Sequence, residues 1–359
     1  MLRFIVRRLL LLVPILLGLS VLLFLSVRAL PGGPAQALLG ERATPQAVAQ
    51  LNQLYGFDRP VWEQYLRYMQ RLLTGDLGVS TTTRQPVLDE LLRLFPATIE
   101  LSVFALVLAV GLGIPLGYVA ARRHLTWVDN SAVLASLIGV SIPVFFLAYI
   151  FKYVFAVRLA WLPATGRQDA RIFSEHPTGF YVLDGFLVGD TTAALDAFAH
   201  LILPAAALAT IPLAIIARIT RASVLDVVNE DYVRTAEAKG LQRSTIRGRH
   251  VLKNALLPVV TVTGLQVGLL LSGAVLTETV FAFPGVGSFL VDSISNRDYA
   301  VVQGFILVIA VIIVVVNLLV DIAYGLIDPR VRAATMASGA PGGFVLDGPL
   351  DSKDGGPSE

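Results

Sequence analysis

Residue types that could carry out catalysis are sparse in this chain. It has no cysteine, which excludes disulfides, thiolate catalysis and cysteine-ligated metal or iron–sulfur sites. None of its histidines shows the H-E-x-x-H spacing that holds zinc on a helix, so a metal site would have to be assembled from distant positions. The histidines are His124, His176, His200 and His250. We therefore expect no catalytic residue and no metal site.

A nucleotide-binding loop is also missing. A P-loop requires a Gly-Lys pair, because backbone amides and the lysine together hold the phosphates. No lysine in the chain follows a glycine; the lysines are Lys152, Lys239, Lys253 and Lys353. We therefore expect that the chain binds no ATP through such a motif and contains no cofactor of its own.

Ionisable side chains are missing from the centres of the long apolar stretches. Carriers driven by an ion gradient usually have such side chains in mid-membrane, where they are costly and therefore functional. Glu100, Glu278 and Asp321 lie at or near the ends of apolar stretches, where ion pairing or hydration explains them. Three neutral polar side chains are candidates for a translocation pathway: Gln266, Ser272 and Asn317. Hydrogen bonding between helices is the commoner role of such residues.

The composition indicates a membrane protein. Of the 359 residues, 55% are hydrophobic and only 15% are charged, and the mean hydropathy is +0.71. Soluble domains of this size rarely combine so much apolar side chain with so few charges. The net charge of +2 is too small to suggest a nucleic-acid partner.

Six stretches have no charged residue and are long enough to cross a bilayer. They are Leu9–Val27, Leu101–Ala121, Ser131–Phe151, Leu201–Ala217, Ala255–Thr277 and Ala300–Val320. Inside a bilayer every backbone polar group needs an internal partner, so these stretches are predicted to be helices. The first follows three arginines and superficially resembles a signal peptide. Its apolar run is longer than the roughly 7–15 residues of a signal core, which favours a retained helix.

The orientation follows from basic residues close to the ends of these stretches. Arginines precede the first stretch and follow the second, and eight basic residues lie between the fourth and the fifth. The opposite short loop, 278–299, has only Arg297. We therefore predict that both termini and the segment 218–254 are cytoplasmic, and that segments 31–97 and 159–199 are external.

The external segments and the tail differ in character. In 31–97, Thr44 and Pro45 are a typical N-cap and first-turn pair. Five residues share one face at helical spacing: Trp62, Tyr65, Leu66, Met69 and Leu73. This face either packs on the bilayer surface and neighbouring helices or docks an external partner. Segment 159–199 shows no clean period and is interpreted as an external insertion. Residues 333–359 are predicted to be a disordered cytoplasmic tail.

The segment Ser223–Asn254 is too polar to be buried in lipid and too long to be a simple turn. Ser223 with Asp226 predicts a helix cap, and Gly240 predicts a helix end. An apolar stripe runs between them at helical spacing: Leu225, Val228, Tyr232 and Ala236. Ser244 predicts the cap of a second helix that leads into the fifth apolar stretch.

Two interpretations of this segment are open: a basic helix held by anionic lipid, and a docking helix for a cytoplasmic partner. Four acidic residues interrupt the basic ones and would repel such lipid: Asp226, Glu230, Asp231 and Glu237. The docking helix is therefore favoured.

The motifs DYVRTAEAKG (Asp231–Gly240) and HVLKNALLP (His250–Pro258) resemble the cytoplasmic loop of permease subunits of binding-protein-dependent ABC importers. The Asn-Ala-Leu-Leu-Pro version is similar to the dipeptide, oligopeptide and nickel branch. Further segments agree: LPGGPA (Leu30–Ala35), GDLGVS (Gly75–Ser80), FPATIELS (Phe95–Ser102), FAFPGVGSFLVDSISNRDY (Phe281–Tyr299) and DPRVR (Asp328–Arg332). The resemblance covers residues 1–332 and is weaker around 166–198.

Two departures stand out. The general importer loop begins with Glu-Ala-Ala, where this chain has Arg234, Thr235 and Ala236. Gly33 stands where the branch usually has Asp in a Pro-Gly-Asp-Pro turn. The peptide branch tolerates the first departure, so the docking role survives, whereas the second leaves the role of the turn open.

The resemblance implies an all-α, type I importer permease with six transmembrane helices over residues 1–332, in a bacterial or archaeal cytoplasmic membrane. It implies a second permease subunit, two ATPase subunits that bind ATP and Mg²⁺, and an extracytoplasmic binding protein. The residues implied in contact with an ATPase are Asp231, Tyr232, Arg234, Thr235, Ala236, Lys239 and Gly240. The expected activity is import of di- or oligopeptides by alternating access. Nickel, glutathione and haem-type solutes belong to the same branch, and an ion-coupled secondary transporter is the alternative.

Overall fold

The computed structural model describes residues 2–29, 33–39 and 43–327, and this part of the chain is helical without a strand. The helices are α1 (Leu2–Arg28), α2 (Gly33–Leu39), α3 (Pro45–Tyr55), α4 (Val61–Leu73), α5 (Val87–Arg122), α6 (Trp127–Ser141), α7 (Val144–Phe151), α8 (Tyr181–Leu187), α9 (Thr191–Val228), α10 (Asp231–Ala238), α11 (Arg243–Thr245), α12 (Lys253–Phe281), α13 (Val286–Ser295) and α14 (Tyr299–Ile327). Two π-helical segments, Lys152–Arg158 and Ile246–Leu252, follow α7 and α11. The predicted tail 333–359 and the motif at 328–332 lie outside the described residues.

Long apolar helices dominate the architecture. Within the described residues, four helices are long and apolar enough to cross a membrane: Val87–Arg122, Thr191–Val228, Arg243–Phe281 and Tyr299–Val320. They contain the second, fourth, fifth and sixth predicted stretches. In α1 the apolar part among the fully described residues is shorter, Val13–Arg28. The all-α, multi-span membrane architecture is therefore confirmed, whereas the count of six spans stays a prediction.

The third apolar stretch is not one uninterrupted helix, so the expectation that Ser131–Phe151 forms a single helix is wrong. α6 ends at Ser141, α7 begins at Val144, and the chain bends by 104° between them. Pro143 lacks an N–H group and disfavours helical backbone at the residue before it. Ile142 accordingly is extended, with φ −87° and ψ 127°. A proline within an otherwise apolar run has therefore broken this helix.

Several helices extend beyond the apolar stretches that predict them. α9 begins at Thr191, where the Asp190 carboxylate accepts a hydrogen bond of 3.0 Å from the Ala193 N–H group, and it ends only at Val228. It therefore takes in the end of segment 159–199 and the start of segment 218–254. α5 likewise begins at Val87, within segment 31–97.

The core is built where α9 packs against α5, α12, α6 and α7. α5 presents a small or apolar residue to this core at every fourth position: Ala97, Leu101, Ala105, Ala109, Gly113, Gly117 and Ala121. Residues four apart lie on one helix face, and small side chains let two backbones approach closely. A Cβ at Gly117 would lie only 2.3 Å from the Ala217 carbonyl oxygen. The contact of α5 with α9 is therefore nearly backbone to backbone.

Segment 31–97, which is predicted to be external, contains the three short helices α2, α3 and α4. The predicted N-cap at Thr44 is confirmed, because its hydroxyl accepts a 3.2 Å hydrogen bond from the Ala47 N–H group and Pro45 opens α3. On α4, the Tyr65 ring packs edge-on against Phe24 of α1, with the ring centres 5.1 Å apart. Trp62, however, is 66% exposed. The apolar face of α4 is therefore only partly covered by the chain itself.

Candidate functional site

The polar segment between α9 and α12 contains a short helix, α10. Glu230 before it is extended, and Asp231 places a carboxylate in the first turn, where the helix dipole favours negative charge. At the other end, Gly240 has φ +73°, and its N–H group donates to the Glu237 carbonyl at 2.9 Å. This left-handed conformation favours glycine. The predicted helix end at Gly240 is confirmed.

The inner face of α10 is attached to the chain's own core. Val233 and Ala236 are buried. They belong to an apolar cluster from the ends of α5 and α9, the π-helical segment Ile246–Leu252 and the start of α12: Ala121, Val224, Ile246, Val251 and Ala255. Ala236, predicted to touch an ATPase, therefore faces inward. Sequence reasoning missed Val233, although it lies three residues before Ala236 and is the single branched aliphatic residue of α10.

Tyr232 ties α10 to the beginning of α12. Its hydroxyl accepts a hydrogen bond of 2.9 Å from the Asn254 side-chain amide and donates to the His250 carbonyl at 3.3 Å. The same amide also donates to the His250 carbonyl at 2.8 Å. The two sequence motifs that point to this loop therefore contact each other. The Tyr232 ring is still 41% exposed.

The outer face of α10 is polar and exposed. Its members are Asp231, Arg234, Thr235, Lys239 and Gly240. Arg234 lies 3.7 Å from the Asp231 carboxylate, and the Thr235 hydroxyl donates to the Asp231 carbonyl at 2.9 Å. An exposed ion pair of this kind contributes little stability, so its members can exchange partners at low cost. α10 thus has one charged face that is exposed and one apolar face that is packed against the rest of the chain.

The predicted caps around α10 are wrong. Ser223 lies inside α9 and is buried, because α9 continues to Val228. The predicted stripe from Leu225 to Ala236 is consequently divided between two helices. α11 begins after Gln242 without a side-chain cap, so Ser244 is not a cap either.

A charge cluster around the buried Asp129 joins α6 to α9 near the same end of the helices. The Arg221 guanidinium donates two hydrogen bonds to the Asp129 carboxylate, at 2.5 and 2.8 Å. The His124 ring nitrogen Nδ1 lies 3.0 Å from that carboxylate. Asp129 is buried, so its charge is neutralised within the chain. No sequence pattern marks this cluster, since Arg221 is 92 residues from Asp129.

The three candidates for the translocation pathway do not share one surface. Gln266 is 4% exposed and lies on the stripe of α12 that packs against α9 and α5, together with Val259, Leu270 and Ala274. Its Oε1 atom has no hydrogen-bond partner among the described residues. This position fits contact between helices of the chain itself.

Ser272 and Asn317, by contrast, each lie near Gly268, at the junction of α12 and α14. The Ser272 hydroxyl donates to the Gly268 carbonyl at 3.3 Å. The Asn317 Oδ1 atom lies 3.4 Å from where a Cβ on Gly268 would stand. Ser272 also lines an apolar groove of about 410 Å³. Gly268 is two residues from Gln266 on α12, so the two positions lie about 160° apart around the helix axis. Gln266 therefore lies on nearly the opposite face of α12 from Gly268.

The carboxylates at the helix ends have structural partners. Glu100 forms a buried ion pair of 2.6 Å with Arg167 of the predicted insertion. Glu278 accepts hydrogen bonds from the Thr98 hydroxyl at 2.6 Å and from the Ser288 N–H group at 2.9 Å. The expectation of ion pairing is confirmed for Glu100, and the side chain of Asp321 lies outside the described residues. Over the part of the chain that the structure describes, no cluster of three potential metal ligands occurs.

Comparison with known proteins gives matches along nearly the whole chain. Residues 113–333 match the family described as binding-protein-dependent transport system inner membrane component, and residues 1–102 match its N-terminal companion family. The dipeptide transport system permease protein DppB of Alkalihalophilus pseudofirmus is 47% identical over 332 residues, which are 92% of this chain and 100% of that protein.

Two further relatives show the breadth of the similarity. The di/tripeptide transport system permease protein DppB of Pseudomonas aeruginosa is 48% identical over 92% of this chain and 99% of its own length. The glutathione transport system permease protein GsiC of Escherichia coli O6:H1 is 38% identical over 92% of this chain and 99% of its own length.

Proposed function

The chain belongs to the family of binding-protein-dependent transport system inner membrane components, and from this premise we propose that it is one membrane-spanning subunit of an ATP-driven importer of di- and oligopeptides. The single observation that carries the proposed coupling is α10. This helix is fixed to the core by Val233, Ala236 and Tyr232 and presents a charged, exposed face. Such a helix can transmit the movement of a partner to the spans behind it.

The mechanical connection runs from α10 to α5, α9 and α12. The buried face of α10 packs on the π-helical segment Ile246–Leu252, which leads into α12, and shares an apolar cluster with the ends of α5 and α9. The Tyr232 hydroxyl is bonded to Asn254 at the start of α12. When an ATPase subunit moves the exposed face of α10, the ends of these helices move with it. Alternating access then follows from differential stabilisation of two packed arrangements by ATP, which the partner subunits bind with Mg²⁺.

The proposed substrate is a short peptide. The relatives at 46–48% identity are named dipeptide or di/tripeptide permeases, whereas the one named for glutathione is 38% identical. Glutathione is itself a tripeptide, so a pathway for short peptides accommodates both names. Nickel is the less favoured substrate, since none of the three relatives compared above is named for a metal.

The proposed assembly has five or more chains. A second permease subunit completes the pathway, two cytoplasmic ATPase subunits supply the energy, and a binding protein outside the membrane delivers the peptide. In this arrangement both termini, α10 and residues 333–359 are cytoplasmic. Ser272 and Asn317 are the proposed pathway residues, at the junction where an apolar groove opens.

Ion coupling is disfavoured by the partners of the buried carboxylates. A carboxylate that carries protons or sodium ions must be able to exchange its ligands. Glu100 is paired with a buried arginine, and Glu278 is bonded to a hydroxyl and a backbone amide. These are fixed structural contacts, so an ATP-driven mechanism is the better explanation.

The test is peptide uptake by the complete importer reconstituted in proteoliposomes, with substrate-stimulated ATPase activity measured in parallel. Gly240→Val places a β-branched residue at φ +73°, which destabilises the end of α10. We expect uptake to fall about tenfold, as a cost of about 1.4 kcal/mol implies, while basal ATPase activity persists. Gly240→Asn is the matched control, because asparagine tolerates this conformation.

A second variant tests the contact of α10 with a partner without changing the conformation of the helix. Arg234→Ala combined with Lys239→Ala removes two exposed charges and leaves the buried face of α10 unchanged. Uncoupling is expected here also: basal ATPase activity without stimulation by the peptide-loaded binding protein. Wild-type uptake and stimulation in both Gly240→Val and the double variant would show that α10 is not the coupling element. Uptake of nickel without uptake of peptide would contradict the proposed substrate.

A further inference from the structure

A cavity of about 310 Å³ lies between the end of α1, the start of α14 and the α3–α4 segment. Its walls combine basic and aromatic side chains. The principal ones are Arg28, Tyr55, Phe57, Tyr68, Arg71 and Tyr299. None of these residues belongs to α10 or to the proposed pathway, so the cavity needs an explanation of its own.

Two guanidinium groups contribute to this cavity, and no carboxylate pairs with either of them among the described residues. Arg28 is held in place, because its Nε–H group donates to the Gln64 side chain at 2.9 Å and its guanidinium lies 3.4 Å from the centre of the Phe24 ring. Arg71 is exposed and forms no side-chain hydrogen bond within the described residues. Asp76 also lines the cavity, but its carboxylate accepts from the Gly78 N–H group at 2.9 Å.

The Tyr68 hydroxyl supplies a third polar group. It is buried, and it has no hydrogen-bond partner in the described part of the chain. Burial raises the pKa of this phenol to about 12, with Tyr65 adding to the rise and the charges of Arg28 and Arg71 opposing it. The phenol therefore stays protonated at neutral pH and is available as a hydrogen-bond donor next to two cations.

We propose that this cavity binds the phosphate headgroup of an anionic phospholipid, held by Arg28, Arg71 and the hydroxyl of Tyr68. Guanidinium groups match the geometry of phosphate oxygens and form strong charge-assisted hydrogen bonds to them. A bound phosphate removes two costs at once, since it neutralises two neighbouring cations and satisfies the unpaired phenol.

The surroundings favour a lipid over a soluble anion. α1 leads to the cavity as an apolar helix with exposed aliphatic side chains, including Leu22 and Leu25 just before Arg28. α4 on the other side exposes Trp62, Leu66 and Leu73. Aromatic residues of this kind are enriched at the level of lipid headgroups. Acyl chains can therefore lie along α1 while the headgroup enters the cavity.

The test is native mass spectrometry of the full chain in detergent, after incubation with phosphatidylglycerol or phosphatidylcholine. We expect retained phosphatidylglycerol on the wild type and little phosphatidylcholine. Arg71→Gln and Tyr68→Phe should each weaken retention about tenfold, because each change removes a hydrogen bond to the charged phosphate. Both changes leave the bonds of Arg28 to Gln64 and to the Phe24 carbonyl in place, so the segment should stay folded.

The matched control is Arg59→Gln, which removes the same charge from the same segment but acts on an exposed pair with Glu63 outside the cavity. It should retain phosphatidylglycerol like the wild type. Equal retention by Arg71→Gln, Tyr68→Phe and the wild type would overturn the proposal. Glycerol phosphate that displaces the lipid at equal concentration would also overturn it, in favour of a site for soluble phosphate esters.

Discussion

Glu278 shows how one buried carboxylate shapes a loop. It accepts hydrogen bonds from the Thr98 hydroxyl and from the Ser288 N–H group, and the same hydroxyl accepts from the Val286 N–H group at 2.9 Å. The loop between α12 and α13 therefore closes tightly around the carboxylate. A Cβ at Gly285 would lie 2.3 Å from the Glu278 carboxyl carbon, so this position requires glycine for space.

Gly285→Ala is accordingly expected to destabilise the protein. The added methyl group must displace a buried carboxylate, and overpacking of this kind costs about 1–3 kcal/mol. The measurement is the melting temperature of the detergent-solubilised chain. Gly111→Ala is the control, because a Cβ there meets nothing within 4 Å. Equal melting temperatures for the two variants would show that the loop can relax around the methyl group.

His176 is a histidine of the predicted insertion whose pKa lies below the ordinary histidine value. Its ring stacks on Tyr181 with the ring centres 3.5 Å apart, and its Nε2 atom lies 2.9 Å from the Oε1 atom of the Gln168 side chain. Burial is the main cause that lowers its pKa, and the Arg167 charge lowers it further, while Asp184 and Glu100 oppose the shift. The folded insertion therefore prefers the neutral ring.

The sign of the pH dependence follows from this preference. The stabilising contribution of neutral His176 is complete above the ordinary histidine pKa of 6.5 and is lost as the pH falls below it. We expect faster proteolysis within 166–180 at pH 5.5 than at pH 7.5. In His176→Phe, which keeps an aromatic ring on Tyr181 but cannot titrate, this difference should disappear. The same pH effect in both proteins would assign it to another group.

At the scale of helices, the contact of α5 with α9 organises the molecule. From Ala97 to Ala121, the residues of α5 at every fourth position are small or apolar, and two of them are Gly113 and Gly117. Without a hydrophobic driving force in lipid, such helices associate through close packing, which small residues permit. Ion pairs join the helices outside this apolar contact. Arg221 of α9 pairs with Asp129 of α6, and Arg167 of the insertion pairs with Glu100 of α5.

Gly117→Ala is expected to weaken this helix pair. Its Cβ would stand 2.3 Å from the Ala217 carbonyl oxygen and 2.7 Å from the Thr220 Cβ, so one helix must shift. We expect a lower melting temperature and a larger share of aggregated chain in size-exclusion chromatography. Gly139→Ala is the control on the contact of α6 with α9, because its nearest neighbour would be an ordinary 3.6 Å from the added carbon. A Gly117 variant as stable as this control would refute the close-packing explanation.

At the scale of the whole molecule, the proposed orientation places α10 and the predicted insertion on opposite sides of the membrane. The insertion exposes Phe173 to 93%, and Lys239 at the end of α10 is exposed as well. Because the chain has no cysteine, a single introduced cysteine reports its own side without background.

Phe173→Cys should react with a membrane-impermeant thiol reagent added to intact cells, and Lys239→Cys should react only after the membrane is opened. Both side chains are exposed, so a difference in labelling reports the side of the membrane rather than burial. Uptake of peptide by each variant serves as the control for correct assembly. Labelling of Lys239→Cys from outside would reverse the proposed orientation.

Sequence alone determined the membrane class of this chain, the positions of its four long apolar helices and the segment that contains α10. These properties are local: apolar runs, charges beside them, and the motifs around Asp231 and Asn254 are each continuous in the chain. The end of α10 at Gly240 belongs here too, because a left-handed turn is a property of one residue and its neighbours.

The tertiary structure alone decided which face of each helix is used. It buries Ala236 in the core, pairs the Tyr232 hydroxyl with the Asn254 side chain, and places Gln266 and Ser272 on different faces of α12. It also formed the pairs of Arg221 with Asp129 and of Arg167 with Glu100. Each of these depends on partners far apart in the chain, whose distance is set by how several helices pack. A hydrophobic period indicates that a helix has a buried face, but not which neighbouring helix will cover it.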